Sequence, residues 1–243
     1  MRLRLLVSSL FAVATVAAPM RAADGQTDAV SEGLAPGDYL RLSGGAVAPV
    51  HAQGSLRDWR RGHTMGVAWE GWQPSSNGVG RIGFGIGFDY SRLPLNQAQF
   101  IADFQPTTGV HPYSASAPSA TAFSIETNFR FRIPAPLVVP SLELGFGYME
   151  FRPSTIQYSG ATGTGSATQA HRRGAAFMFG AGVDKQVVDR FALFGEALYT
   201  YGLTSLGHGV ATPGSSCIIN QCDALQNTAL AVLRGGLRVR LGP

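Results

Sequence analysis

Charge is scarce in this chain of 243 residues: Asp, Glu, Lys and Arg together make up 14%, against about a quarter in ordinary soluble domains. Lysine is nearly missing, since 18 of the 19 basic residues are arginine and Lys185 stands alone. A coiled coil or helical bundle needs far more Ala, Glu, Lys and Leu and far less glycine, so both are excluded. Beyond the N-terminal segment no run of about 18 apolar residues exists, which excludes a spanning helix. Hydrophobic content is nonetheless an ordinary 45%, which excludes a disordered chain. What is plentiful is glycine, 31 of 243 residues, nearly twice the usual share of about 7%. The chain reads as a glycine-rich β protein of one domain, long enough for a sandwich or a barrel.

The apparent basicity comes from one end. Residues 1–22 read as a secretory signal: Met1-Arg2-Leu3-Arg4 is a cationic start, Leu5–Ala18 an apolar stretch, and small residues follow. The apolar stretch is too short for a membrane anchor, which needs about 20 residues. Arg2, Arg4 and Arg21 lie in this segment and all 15 acidic residues lie after it, so cleavage lowers the formal charge from +4 to +1. No clustered basic surface remains for nucleic acid, and none is expected as a partner.

The rest of the chain repeats one pattern. Apolar and polar or small residues alternate at period two, the strand signal, most clearly in Arg81-Ile82-Gly83-Phe84-Gly85-Ile86-Gly87-Phe88-Asp89-Tyr90. Seven similar runs lie near Tyr39–Val50, Thr64–Gln73, Thr121–Arg132, Val139–Phe151, Arg173–Val187, Phe191–Gly202 and Asn227–Leu241. Connections after the second, fourth and sixth runs are short. The others are longer and reach their extremes at Leu93–Ala120, Pro153–Arg172 and Leu203–Gln226. A soluble sandwich has no reason to gather its long connections at one end, whereas an outer-membrane barrel pairs short periplasmic turns with long outer loops. The expected fold is therefore all-β: an eight-stranded antiparallel transmembrane β-barrel over 39–243, preceded by a short periplasmic segment at 23–38.

A bilayer inverts the burial rule, so a spanning barrel turns its apolar stripe outward and its polar face to the lumen. The polar face here carries Arg41, Glu70, Asp89, Glu126, Arg130, Glu143, Glu196, Arg234 and Arg238. Charges buried in a dry sandwich would be very costly, but a narrow lumen can hold them as a paired network. Counting across the turn at Ala135 places Glu143 opposite Asn128 and diagonal to Arg130. Gly83, Gly85, Gly87, Gly145, Gly147, Gly180 and Gly182 share the lumen parity and make room for the long charged side chains. On the apolar face, Tyr90, Tyr148, Tyr199 and Tyr201 mark the outer ends of runs, while Trp69, Phe131 and Phe191 lie near inner ends, as two aromatic girdles require. Four residues break the parity: Phe194, Leu198, Leu230 and Val232 fall on the charged face, as apolar plugs or as a register error.

The signal segment, Gly37-Asp38-Tyr39-Leu40-Arg41-Leu42-Ser43-Gly44-Gly45 at the start of the barrel and Phe194-Gly195-Glu196-Ala197-Leu198-Tyr199-Thr200-Tyr201 before the last loop resemble the OmpA/opacity-type small outer-membrane barrels. The final strand is similar to that family's C-terminal assembly signal through Gly236, Val239 and Leu241, but it ends on Leu241-Gly242-Pro243 instead of an aromatic residue. The resemblance implies a monomer of the outer membrane, surrounded by outer-membrane lipid and lipopolysaccharide and inserted by the barrel assembly machinery. It also implies a structural or surface-interaction role such as adhesion, binding or envelope integrity. A narrow channel for ions or small apolar molecules is the alternative; a wide porin would need about 16 strands.

Little else in the sequence carries chemistry. Cys217 and Cys222, an even count in an exported chain, read as a disulfide pinning the fourth long loop. His51, His63, His111, His171 and His208 fall in loops or at strand ends and read as solvated. Deacylases built on outer-membrane barrels use a His-x-Ser arrangement, and no histidine here has serine two positions on. No enzyme activity, metal or cofactor is expected. The glycines of 160–165 lack the Lys-Ser/Thr of a phosphate cradle and read as a flexible loop.

Overall fold

In a computed structural model, the structure describes residues 36–50, 54–74, 80–108, 111–133, 135, 137–161, 163–188, 190–206 and 225–242. The signal segment, both cysteines with their expected disulfide, His51 and His208 lie outside these residues.

Each of the eight alternating runs becomes a barrel strand: β1 (Gly37–Pro49), β2 (Gly62–Pro74), β3 (Arg81–Leu93), β5 (Ala120–Arg132), β6 (Val139–Arg152), β9 (Arg172–Val188), β10 (Phe191–Leu206) and β11 (Leu225–Leu241). They pair antiparallel with their neighbours around the ring, and β1 closes on β11 from Asp38↔Leu241 to Pro49↔Leu230. Closure leaves no open edge, the condition for backbone polar groups to cross hydrocarbon. Among the described residues no helix is long and apolar enough to cross a membrane; the strands make the crossing.

The faces follow the alternation. Ile82, Phe84, Ile86 and Phe88 of β3 point outward and are 38–51% exposed, and Leu144 on β6 reaches 66%. Arg41, Glu70, Glu126, Arg130, Glu143, Glu196, Arg234 and Arg238 are all buried inside. An exterior of large apolar side chains around a charged interior is stable only with lipid outside. The barrel is thus a transmembrane one, with its short turns at one end and its long loops at the other.

Two expectations need correction. The first is the β5–β6 register. Arg132 pairs with Ser141, and the Ile133 N–H donates to the Pro140 carbonyl at 3.0 Å. Proline has no N–H to give, so Pro140 joins the ladder through its oxygen alone, and the turn is centred beyond Ala135. Glu143 therefore lies directly opposite Arg130, and Asn128 faces Gly145.

The second correction concerns the long connections, which are folded. Leu93–Ala120 contains helix α1 (Gln97–Thr108) and strand β4 (Pro112–Ser116). The glycine-rich 160–165 segment is the turn of a hairpin between β7 (Ile156–Gly160) and β8 (Gly163–Ala167), with Gly160 paired to Gly163. These strands form a separate three-stranded sheet in the order β4-β7-β8. A 3₁₀ turn at Gly54–Asp58 completes the cap between β1 and β2. Glycine and serine content masked this order. The cap is stabilised by a few large apolar side chains far apart in sequence, and those leave no periodic trace.

Candidate functional site: a closed, charged lumen under a folded cap

The middle of the lumen is an ion-pair lattice. Arg41, from β1, reaches Glu196 at 2.9 Å, Glu70 at 3.2 Å and Glu126 at 3.5 Å. Arg130 reaches Glu143 at 2.5 Å and Glu196 at 2.8 Å. Arg234 meets Glu196 at 2.5 Å and also pairs with Asp89, the most exposed of the lumen acids at 13%. Toward the short-turn end, Arg238 bonds Glu70 at 2.8 Å and pairs with Asp184, which Arg132 bonds at 2.8 Å. Each charge comes from a different strand position of one parity, so the pleat alone aims all of them at the axis. Burial removes water from these groups, and only mutual pairing offsets that cost.

Aromatic rings fill what the charges leave. The Arg132 guanidinium stacks 3.4 Å from the centre of the Trp72 ring, and Arg238 lies 4.2 Å from that of Phe194. Such stacking suits the weakly hydrated, planar guanidinium. Glycine makes the space: a Cβ on Gly83 would come 2.8 Å from the Trp72 indole, and one on Gly66 would collide with an Asp89 carboxylate oxygen. Phe194 and Leu198 are buried on the charged parity, and so is Leu230. They are apolar plugs; the register holds.

Above the lattice the lumen turns neutral. Ser91 donates to Thr64 at 2.9 Å, and Thr204 and Thr228 share a hydrogen bond at 3.1 Å. Met149, Met178, Leu198 and Leu230 line a small cavity there, about 20 Å³, which is room for about one water. The barrel top then merges with the cap. Val47, Leu93, Met149, Phe151 and Leu230 of the barrel share a core with Leu56, Trp59, Phe100, Phe104 and Ile156 of the loops. Phe100 and Phe104, one helical turn apart on α1, sit 5.1 Å centre to centre, and Tyr158 of β7 packs 4.7 Å from Phe104.

A buried polar relay ties the loops together. The Trp59 indole donates to Gln169 at 3.1 Å, Gln169 donates to the Asp58 carboxylate at 2.5 Å, and the Asn96 N–H donates to the Asp58 carbonyl at 2.6 Å. Desolvation pushes the Asp58 carboxyl up to about 7, against the smaller lowering effect of its Gln169 bond. On the outer face of the cap, Gln97, Ser114, Ser116, Gln157, Ser159 and Ser166 border an uncharged groove of about 580 Å³.

The nine lumen charges expected from parity all lie in this lattice or at its edge. Arg132 and Asp184 belong to it too, and parity with Arg130 and Gly182 marks both. Asp58, Trp59 and Gln169 carried no such signal, because Asp58 and Trp59 meet Gln169 across two different connections. The expected girdle residues lie on the outer face: Trp69, Phe131, Tyr148 and Phe191 are exposed, and Tyr90, Tyr199 and Tyr201 are half-buried. The Phe123 and Tyr148 rings lie 6.1 Å apart, centre to centre, and those of Phe179 and Tyr199 5.0 Å apart. Gly236, Val239 and Leu241 lie on the closing seam, paired with Ser43, Leu40 and Asp38. Of the described histidines, His63 is on β2, while His111 and His171 lie just before β4 and β9. Among the described residues no three His, Cys, Asp or Glu side chains are placed to hold a metal.

Fold and lumen together define a small eight-stranded transmembrane barrel with an obstructed interior and an ordered cap. The chain matches no family model and no curated protein. Among solved structures it is similar to Neisserial surface protein A, at 12% identity over 84% of this chain and 97% of that one, with a TM-score of 0.46. It is also similar to a major outer membrane protein of Thermus thermophilus, at 14% identity over 84% and 99%, TM-score 0.45. Ail, the attachment invasion locus protein of Yersinia pestis, aligns at 14% identity over 83% and 95%, TM-score 0.37.

Proposed function

We propose that this protein is a non-conducting outer-membrane barrel that serves as a surface-interaction and envelope element, acting through the folded cap at its long-loop end. The observation that carries this reading is the obstructed lumen. An ion-pair lattice fills its middle, a cavity of only about 20 Å³ lies above it, and a shared apolar core seals the top. Ion conduction needs a continuous wet path, and the apolar seal offers ions no hydration. The cap, by contrast, has an apolar core of its own shared with the barrel rim, which gives it a folded surface to present. The lumen charges then act as internal braces for the barrel, not as a selectivity filter.

Planar-bilayer recording of the folded wild-type protein tests the first half of this reading. No discrete conductance steps are expected, and steady ohmic steps from heat-modifiable, folded protein would overturn it in favour of a narrow channel. Replacing residues 96–118 by a short Gly/Ser turn tests the second half. Binding of producing cells to abiotic or cellular surfaces should fall while barrel mobility on gels is kept; unchanged binding would remove the cap from the role.

A further inference from the structure

Toward the cap, the outer face of the barrel changes character on the flank of β2, β3, β5, β6 and β9. One register row across β2, β3, β5, β6 and β9 reads Val67, Phe88, Ile125, Tyr148 and Ala175. It carries no charge, and its large side chains are exposed. Two residues nearer the cap, the same strands carry Met65, Tyr90, Phe123, Glu150 and Arg173. Two residues further still, β2, β3, β5 and β6 carry His63, Arg92, Thr121 and Arg152 side by side. His63, Arg92, Arg152 and Arg173 are all exposed. Each step of two residues rises about 7 Å along a strand, so hydrocarbon-facing residues give way to basic ones over the thickness of a headgroup layer.

These rows are net positive. Arg92, Arg152 and Arg173 stand against a single carboxylate, Glu150, before His63 is considered. Glu150 pairs with Arg152, whose guanidinium also lies 5.2 Å from the centre of the Phe123 ring. The opposite flank differs. At the height of Arg173 the register continues to Ser205 on β10 and Leu225 on β11, with Leu203 and Asn227 one step below, and beside His63 β1 carries Ala46; none of these residues is ionisable. Arginines placed outward at the edge of an apolar band cost little there and are attracted by anionic headgroups. Arg92 and Arg152 stand two strands apart, about 10 Å, wide enough to hold a headgroup between them.

We propose that the β2–β3–β5–β6–β9 flank is a one-sided binding site for the phosphate headgroup of a membrane lipid. Arg92 and Arg173 anchor the phosphate. Arg152, fixed by Glu150 and Phe123, positions the headgroup, and the acyl chains lie along the Val67–Phe88–Ile125–Tyr148 row. The inference rests on the barrel spanning a membrane, which heat-modifiable mobility reports separately. A chain that fails to insert thus refutes the barrel and not the site.

The test uses the full-length folded protein in nanodiscs of phosphatidylcholine doped with phosphatidylglycerol, with diphosphoryl lipid A or with its dephosphorylated form. Retained lipid is counted by native mass spectrometry. Wild type should retain the phosphate-bearing lipids over the dephosphorylated one. Arg92→Gln/Arg173→Gln should weaken that retention about 30-fold, the factor for two arginines at about 1 kcal/mol each beside an anionic surface. Asn227→Gln on the opposite flank should leave retention unchanged. Equal retention by the double variant would overturn the site. So would displacement of the lipid by inorganic phosphate alone, which would make it a site for free anions.

Discussion

Glu196 is the most connected carboxylate of the lumen, and replacing it puts the bracing role of the lattice to a quantitative test. Arg41, Arg130 and Arg234 approach it at 2.9, 2.8 and 2.5 Å, and Arg238 lies 3.9 Å away. All these groups are buried. Glu196→Ala leaves four guanidinium groups with one carboxylate fewer. Breaking a buried pair by removing one partner costs about 3–5 kcal/mol. Glu70, Glu126 and Glu143 lie within 4.0 Å of Arg41 and can take up part of the loss, so the lower end, about 3 kcal/mol, is expected. Glu196→Gln keeps shape and one acceptor oxygen and should cost less, about 2 kcal/mol, the value of one charge-assisted hydrogen bond. Urea unfolding in phospholipid vesicles, read by heat-modifiable gel mobility, measures both. The double variant Glu196→Ala/Arg234→Ala should be less destabilised than the two single changes summed, because it removes both members of a pair. A Glu196→Ala protein within about 0.5 kcal/mol of wild type, the range of an ordinary surface change, would refute the argument that these charges brace the barrel.

Other consequences can be measured independently. Gly83→Ala puts a methyl group 2.8 Å from the Trp72 ring, which is held against Arg132. It should destabilise by about 1–3 kcal/mol, as overpacking does, where Gly→Ala in an unobstructed strand should stabilise; an unfolding midpoint at or above wild type would contradict the crowding argument. Asp58 gives the cap a pH dependence. Its folded carboxyl is raised from 3.8 to about 7, mainly by desolvation and further by Asp103, and is opposed by Gln169, Arg57 and Arg172. A raised acid contributes stability that is fully present below its unfolded value and is lost as pH rises through the folded one. The Trp59 environment, followed by fluorescence, should therefore loosen as pH rises through about 7, and Asp58→Asn should abolish that change. A transition that survives in Asp58→Asn would assign the effect elsewhere.

Period-two alternation was enough to locate every barrel strand and the side on which each charge falls. A strand's pleat converts residue number directly into face, without reference to any partner. The alternation of short and long connections then settled the antiparallel ring. Even Arg132 and Asp184, absent from the expected lumen set, obey the same parity. Register was harder to read. Glu143 meets Arg130 rather than Asn128 because the turn closes on the Pro140 carbonyl, a detail of hydrogen-bond supply that spacing alone does not reveal.

The cap was hidden for a different reason. Phe100, Trp59 and Ile156 come from separate connections and share one core with Leu93 of β3 only after the barrel has brought those connections to a common rim. Its elements are each 5–12 residues long, too short to announce themselves by periodicity. The basic flank is of the same kind, since His63, Arg92 and Arg152 are neighbours only through cross-strand register. Local alternation, written along the chain, determined the barrel and its inside. Which side chains meet was decided by closure of the ring, because contacts between distant strands exist only once the last strand has paired with the first.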